Sequence, residues 1–444
     1  MDMDRRTFLS LCIKGGVSAA MLTSTQLSAM QSLLNQQHYN DYKALVCIFL
    51  LGGNDSMNML LPMSGQDKAD YLASRQNLAI VDPVRLSPIS TLPETGLNPA
   101  LAPLHELFNA GDLAFVGGVG TLSAPTSLDD YINKRSHIPS HLFSHNDQQA
   151  RWMHGKEKQS INTGWGARML ELLEDQPHFA SNISLAGTNP WQIGSKTSAF
   201  AMSRTGQANI SAFSGTNTRA VQLEQSVMRQ LAASQKRMAK VYGDGLTQGI
   251  ANSQAMNASL ENVAPLPDFG EGRLSQQLQT VARVIASQSQ QGAGRQIFYV
   301  TMGGFDTHDE QVTKHPELLA ELATSFSEFN QAMVSLGVSD QVTSFTMSDF
   351  GRTLSSNGDG TDHGWAGNQI VMGGAVKGQD IYGALLPQRL DSEFDVKGGR
   401  LIPQVSTDQY SATLAKWFGL SAGELNELFP SLSRFDQQTL NFMT

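Results

Sequence analysis

Uninterrupted apolar runs recur along the chain, and each is followed by a polar segment that contains Gly. The runs lie at residues 44–51, 113–116, 297–302, 344–347 and 369–372. Consecutive apolar, β-branched and aromatic residues, without alternation, are typical of strands buried on both faces of a sheet. Apolar spacings of three and four predict helices between them, at 98–111, 274–289, 315–336 and 407–418. This order predicts an α/β fold with a mainly parallel central sheet flanked by helices.

The middle of the chain has a different composition. Residues 220–242 have apolar spacing that predicts a long helix, and a Gln-, Asn- and Ala-rich link with prolines follows at 249–272. The helix predicted at 274–289 ends this region. Because no clear composition change marks a boundary, we expect one domain over residues 43–444 with a helical insertion at about 217–292.

The N-terminal residues resemble an export signal. Arg5 and Arg6 precede a weakly apolar stretch at 11–27, which Lys14 makes too polar and too short for a stable membrane span. Small residues at 28–29 offer a cleavage site. The pattern predicts a twin-arginine signal over 1–29, the twin-arginine translocase as a partner during export, and a periplasmic or secreted protein with no stable membrane span after cleavage.

Composition narrows the function only slightly. The 444 residues carry a formal charge of −9, with 40% hydrophobic and 16% charged residues, which is typical of a globular protein. A negative net charge without a cluster of Lys and Arg argues against nucleic acid as a partner. Apart from Cys12 in the predicted signal, Cys47 is the only cysteine, so the exported chain has no intramolecular disulfide.

Acidic and Gly-rich segments follow three of the predicted strands. These segments are Gly-Gly-Asn-Asp at 52–55, Gly-Gly-Phe-Asp-Thr-His at 303–308, and Ser-Asp-Phe-Gly-Arg-Thr at 348–353 with Asp-His at 362–363. Ligands of open α/β sheets bind at the carboxyl ends of the strands. Carboxylates and imidazoles gathered there suit a metal or acid–base site, and zinc or manganese better than calcium. Each segment alone is also consistent with a capped turn.

A long connection at residues 117–165 contains four of the ten histidines of the chain, between His137 and His154. Connections of this length are usually functional or disordered. If the site is catalytic, Ser140, followed directly by His141, is the preferred nucleophile, ahead of Ser144 and Ser56. A helix cap with surface histidines is the alternative interpretation of each single residue.

These motifs carry a resemblance to a known family. Residues 51–55, 303–308, 348–353 and 360–365, with Ser140-His141, Gly164-Trp165 and 406–410, resemble the blocks of a bacterial family described only as domain of unknown function number fifteen hundred and one. The resemblance covers nearly the whole exported chain. The family is similar in fold to the alkaline phosphatase–sulfatase superfamily, so an alkaline-phosphatase-like fold with one or two metals at strand ends is implied.

The resemblance implies five metal ligands: Asp55, Asp306, His308, Asp349 and His363. The sequence departs from the superfamily pattern in three ways. The spacing between Asp306 and His308 is shorter than the Asp-to-His spacing of the superfamily. Phe350 stands where the superfamily has a His directly after the acid, so the ligand could be Asp362 instead of Asp349. No Ser, Thr or Cys stands unmistakably at the nucleophile position.

Two functions from different classes are consistent with the sequence. One is a metal-dependent hydrolase of phosphate or sulfate esters, in which Ser140, His141 and Arg352 act catalytically and the Arg352 guanidinium binds an anionic substrate oxygen. The other is a non-catalytic exported protein that binds or assembles an envelope polymer. The Asp and His motifs favour the enzyme, and the lack of a clear nucleophile favours the binding protein. Fold alone does not decide between them.

We predict that the exported protein begins near Met30 and that Lys at both positions 5 and 6 blocks export, because the translocase recognises the arginine pair. Mass spectrometry of the exported protein gives its N-terminus. An intact N-terminus, or unchanged export of the Lys-Lys variant, would contradict the prediction.

Overall fold

The computed structural model describes residues 41–444 except 88–93, 157–161, 207–221, 223–225 and 232. The predicted signal and its cleavage site therefore lie outside the described residues. The strands are β1 Lys43–Leu50, β2 Leu60–Pro62, β3 Val84–Arg85, β4 Thr95–Leu97, β5 Leu113–Gly120, β6 Asn182–Ser184, β7 Phe200–Ala201, β8 Arg295–Met302, β9 Val342–Ser348, β10 Arg352–Ser356, β11 Thr361–His363, β12 Gly367–Met372, β13 Ile381–Gly383 and β14 Val405–Ser406.

The α-helices are α1 Gly65–Arg75, α2 Ala102–Ala110, α3 Leu128–Ile132, α4 His145–His154, α5 Trp165–Leu173, α6 Arg237–Glu261, α7 Arg273–Ala286, α8 Gln288–Gln291, α9 Gln311–Leu336, α10 Thr407–Phe418 and α11 Ala422–Leu428. Single turns of 3-10 helix connect several of them. Among the described residues, none of the helices has the length and apolar character that crossing a membrane requires.

The central sheet has the strand order β13-β5-β12-β9-β1-β8-β6-β7, and β14 also pairs with β5. All of its pairings are parallel except those of β12, which runs antiparallel to both β5 and β9. The prediction of a mainly parallel sheet flanked by helices is therefore confirmed.

The register of the three central strands aligns their carboxyl ends. Leu50 at the end of β1 pairs with Met302 of β8 and with Ser348 of β9. The loops that follow these strands consequently leave the same edge of the sheet. The hairpin of β10 and β11 lies beyond this edge, and the chain re-enters the sheet there through the antiparallel strand β12.

Strand β1 shows how the sheet is buried on both faces. Ala44, Val46, Ile48 and Leu50 pack into one hydrophobic cluster, and the intervening Leu45, Cys47 and Phe49 pack into another. Helices α2, α6, α7 and α9 cover the first face, and α4, α5, α10 and α11 cover the second. Two covered faces explain why the strands are apolar at consecutive positions.

Most of the predicted elements are present, with differences at their ends. Strands β1, β5, β8, β9 and β12 all lie on the predicted apolar runs. The link predicted to begin at residue 249 is wrong over its first part, because α6 continues to Glu261. Gln, Asn and Ala are compatible with an exposed helix, so composition alone did not distinguish a helix from an irregular link over these residues. Part of the helix predicted at 220–242 lies outside the described residues.

Gly52 permits a close approach between the loops after β1 and β8. Its φ is +115°, and a Cβ at this position would lie 2.3 Å from the backbone nitrogen of Asp306. Only Gly tolerates both the backbone conformation and the contact. The position of Asp306 relative to β1 thus depends on residue 52 being a glycine, which has no side chain.

We predict that Gly52→Ala lowers the free energy of unfolding by about 1–3 kcal/mol, because the new Cβ strains the backbone and displaces the Asp306 loop. Gly303→Ala is the matched control, since a Cβ there meets nothing within 4 Å. Urea unfolding of both variants measures the difference. Equal stability of the two variants would show that the loops rearrange without cost.

Candidate metal centre

Three histidines and one aspartate converge at the carboxyl edge of the sheet. Asp306 and His308 follow β8, His363 ends β11, and His145 begins α4. One ligand atom each from His145, Asp306 and His363 lies within 4.8 Å of the others, an arrangement that could hold a metal ion. Nε2 of His308 joins this group, 2.9 Å from Nε2 of His363 and 3.1 Å from Oδ1 of Asp306.

A hydrogen-bond acceptor orients each of the three imidazole rings through Nδ1. The acceptors are the Phe143 carbonyl for His363 at 2.8 Å, the Asp349 carboxylate for His145 at 2.5 Å, and the Asp362 carboxylate for His308 at 3.3 Å. A carbonyl or carboxylate oxygen can only accept, so Nδ1 carries the proton in each ring. With Nδ1 bonded in this way, each ring directs Nε2 towards the centre.

In the neutral form of the three rings, which is the form that binds metal, the four groups around the centre are all acceptors. The Nε2 atoms of His308 and His363 face Oδ1 of Asp306 at 3.1 and 3.3 Å, and that of His145 faces Oδ2 at 3.5 Å. Neutral imidazole nitrogens and a carboxylate cannot hydrogen-bond to one another without an added proton. A cation is the charge that such an arrangement accommodates.

The distances fit a first-row divalent ion. Ligands about 2.0–2.1 Å from a tetrahedral zinc ion lie about 3.3 Å from one another. The contacts with Asp306 and between His308 and His363 span 2.9 to 3.5 Å, while the ligand atoms of His145, Asp306 and His363 are separated by up to 4.8 Å, so binding an ion would draw them closer together. Carboxylates or carbonyls behind the ligating histidines are also the usual outer partners of such sites. The side chains present thus fit a zinc or manganese ion.

The protonation states follow from the surroundings. Partial burial favours the neutral form of Asp306, but the hydrogen bond and charge of Arg352 outweigh it, so the pKa of Asp306 lies below its usual value. Burial lowers the pKa of His363, and the Arg352 charge lowers it further despite the Phe143 carbonyl. At neutral pH the aspartate is ionised and the imidazole neutral, which are the forms that bind metal.

Arg352 is a structural partner of Asp306. Its guanidinium is fully buried and donates to Oδ1 of Asp306 at 2.7 Å, to the Gly52 carbonyl at 3.3 Å, and to the hydroxyl and carbonyl of Thr361. Four of its five N–H groups are consumed by these bonds. The Arg352 guanidinium was predicted to bind an anionic substrate, but most of its N–H groups donate to other residues of the protein.

Asp349 lies directly behind His145. One of its oxygens accepts from Nδ1 of His145 and from Gln149 at 3.0 Å, and the other accepts from the backbone of Gly52 at 3.2 Å. It is buried, and its described contacts place it behind a ligand. Asp349, which was predicted as a ligand, therefore contacts the centre indirectly, through its hydrogen bond to His145.

Asp55 belongs to a separate buried network. Its Oδ2 pairs with Arg75 and accepts from Gln311, and both charged side chains are fully buried. Gln311 in turn accepts from Thr361 at 2.7 Å. Thr361 is the residue that binds Arg352, so Asp55 is connected to the centre through a chain of hydrogen bonds.

The predicted nucleophiles make contacts of their own. Ser140 is exposed and accepts from Arg151 at 3.2 Å, and the exposed His141 faces Asp147 at 3.2 Å. The hydroxyl of Ser144 donates to Asp147 at 2.7 Å, and that of Ser56 accepts from the backbone of Asn368. These described contacts do not join the four serine and histidine side chains to the centre.

His145 is the member of the centre that the sequence did not identify. It belongs to the His-rich connection, where the count of histidines indicated a function without indicating which residue. Two features fix the position of the His145 ring. Ser144 is the N-cap of α4, so His145 is the first residue of this helix. The His145 ring also packs against Phe350, with ring centres 4.8 Å apart. Phe350 occupies the position where the resemblance implied a histidine.

Comparisons with known proteins agree with the predicted family. The family model described as "Protein of unknown function (DUF1501)" matches residues 42–391, so the chain belongs to this family. No curated protein matches the sequence significantly.

Three solved structures are among those that this chain matches, each at low sequence identity. The lipoteichoic acid synthase LtaP from Listeria monocytogenes is 8% identical, with 89% of this chain and 79% of that chain covered and a TM-score of 0.33. The sulfatase PsFucS1 from Pseudoalteromonas sp. is 11% identical over 94% and 74%, with a TM-score of 0.32. An alkaline phosphatase from the Antarctic bacterium TAB5 is 7% identical over 88% and 99%, with a TM-score of 0.28.

We predict that Asp55→Ala lowers the free energy of unfolding by about 3–5 kcal/mol, because it leaves the buried Arg75 charge without a partner. Adding Arg75→Met should recover part of this loss. Urea unfolding of the single and double variants measures the recovery, and zinc analysis of the double variant shows whether Asp55 is a ligand. We expect zinc to be retained; its loss would place Asp55 in the coordination sphere.

Proposed function

We propose that this member of the family binds a divalent metal ion through Asp306, His145, His308 and His363 and hydrolyses a phosphate or sulfate ester. The observation that carries the proposal is the convergence of three Nε2 lone pairs on one carboxylate. Imidazole nitrogens with a single carboxylate favour zinc or manganese, whereas calcium prefers a shell of six to eight oxygen ligands. The predicted twin-arginine signal supports an activity in the periplasm or outside the cell.

A divalent ion held by these residues would polarise an ester oxygen and lower the pKa of water, which is the chemistry that hydrolysis at neutral pH requires. The chain supplies the geometry for this chemistry. Asp349 and Asp362 hold His145 and His308 with Nε2 inward, and the Phe143 carbonyl does the same for His363. Arg352 keeps Asp306 ionised and fixed.

A hydrolase requires a nucleophile at the centre, whereas the alternative, a binding protein, does not. Hydroxyl groups on the loops that form the centre are already engaged: Thr361 donates to Gln311, and Thr353 donates to the Ser355 carbonyl at 3.0 Å. With Ser140 bonded to Arg151, water is the remaining nucleophile for an enzyme. The same observation favours the alternative, an exported protein that uses the centre to bind or assemble an anionic envelope polymer without catalysis.

We expect the purified protein to contain about one zinc or manganese ion per chain and to hydrolyse 4-nitrophenyl phosphate or 4-nitrophenyl sulfate. Asp306→Ala and His363→Ala should lose both metal and activity, since each removes a ligand. Asp362→Ala should weaken metal binding by about 10–100-fold, because it removes the oxygen that orients His308. Plasma mass spectrometry and release of 4-nitrophenol measure the two properties.

His105→Ala is the matched control, because His105 lies on α2, where it contacts the Arg85 carbonyl of β3, and its loss should leave metal and activity unchanged. Ser140→Ala tests the predicted nucleophile; we expect turnover to persist. A wild-type protein that binds no metal would contradict the proposal, and one that binds metal but hydrolyses neither ester would support the binding protein instead.

A further inference from the structure

A cleft of about 530 Å³ opens beside the metal centre. Its walls are Tyr131, Phe143, His308, Asp362, His363, Val396, Lys397 and Arg400. Small-molecule sites usually have volumes of about 300–1,000 Å³, whereas one water occupies about 30 Å³ in the liquid. The cleft is thus large enough for a ligand with a ring in addition to the ester group.

Arg400 is fixed at the side of the cleft next to a predicted metal ligand. Its Nε donates to the His363 carbonyl at 2.9 Å, and one Nη1 proton is donated to the Lys397 carbonyl at 3.2 Å. The guanidinium also lies over the Phe143 ring, 5.3 Å from its centre. Three contacts hold the group in place, and the described bonds do not use its Nη2 protons. Such a preorganised fork suits a carboxylate, phosphate or sulfate.

The remaining walls complete a site for an anionic ring. Lys397 is exposed and adds a second positive charge beside Arg400. Tyr131 and Phe143 are only partly buried, so their rings face the cleft as well as the protein. Asp362, the one acid in the cleft wall, is paired with His308 on the side of the metal centre. Two positive charges therefore line the cleft, with Arg400 bonded to the backbone of His363 beside the centre.

Building on the proposed hydrolase, we infer that its substrates carry a second anionic group on a ring attached to the ester. The metal centre binds the ester, Tyr131 and Phe143 contact the ring, and Arg400 with Lys397 binds the second anion. Arg352 cannot supply this recognition, since it is buried and bonded to Asp306. The cleft selects doubly charged esters over singly charged ones.

Two non-hydrolysable probes test this inference: 4-phosphonobenzoate, and phenylphosphonate, which lacks the carboxylate. Titration calorimetry measures their binding to the zinc-loaded protein. We expect 4-phosphonobenzoate to bind about tenfold more tightly than phenylphosphonate, which is typical of one hydrogen bond to a charged group. Arg400→Gln should abolish this difference and Lys397→Gln should reduce it, while binding of phenylphosphonate and the zinc content stay unchanged.

Lys416→Gln is the matched control, because it removes an exposed positive charge far from the cleft. Lys416 lies near the end of α10, and the neighbouring Trp417 carbonyl binds Lys43 at the opposite edge of the sheet. Lys397→Gln also guards against misfolding, since this side chain is exposed. Equal affinities of the two probes for the wild type would overturn the inference and leave the hydrolase proposal standing. Failure of both probes to bind would overturn the anion-binding site itself. Arg400→Gln that weakens both probes equally would assign Arg400 a role in positioning His363 only.

Discussion

The buried guanidinium of Arg352 holds three loops together at the carboxyl edge of the sheet. It binds the Gly52 carbonyl after β1, the Asp306 carboxylate after β8, and Thr361 on the hairpin that carries His363. A buried charge is tolerated only when it is paired and hydrogen-bonded. The same contacts that satisfy Arg352 therefore fix the relative positions of Asp306 and His363, on which the metal centre depends.

A second layer of buried polar groups supports this arrangement. Arg75 binds Asp55 and the carbonyls of Thr353 and Leu354, and Gln311 connects Asp55 to Thr361. The layer joins α1, the loop after β1, the hairpin and the first turn of α9. Oδ1 of Asp55 and Nε of Arg75 are buried without a hydrogen-bond partner among the described residues, so the network is satisfied only in part. Its remaining bonds join the loops and helix ends that carry the histidines.

The sequence predicted the parts of the centre that depend on strand order and missed those that depend on side-chain direction. Apolar runs followed by Asp306, Asp349 and His363 placed these residues at one edge, because parallel strands end together. The distinction between a ligand and the residue behind it is a matter of about 3 Å, which a sequence pattern does not contain. Asp349 and Asp55 follow strands as Asp306 does, yet they bind His145 and Arg75. His145 could be found only through its contacts, since it comes from a helix on a distant part of the chain.

The charge of the centre bears on what an ion could do there. Imidazoles that bind a metal do so in the neutral form, and Arg352 offsets the single carboxylate through its bond to Oδ1 of Asp306. A divalent ion held by this set would keep most of its positive charge, which is the condition for polarising an anionic ester or lowering the pKa of water. Two further carboxylates are close by, and both Asp349 and Asp362 bind the Nδ1 atoms of histidines. Their negative charge would therefore be separated from a bound ion by an imidazole ring, and Arg352 offsets the carboxylate that faces the centre. The proposed Lewis-acid chemistry depends on this distribution of charge.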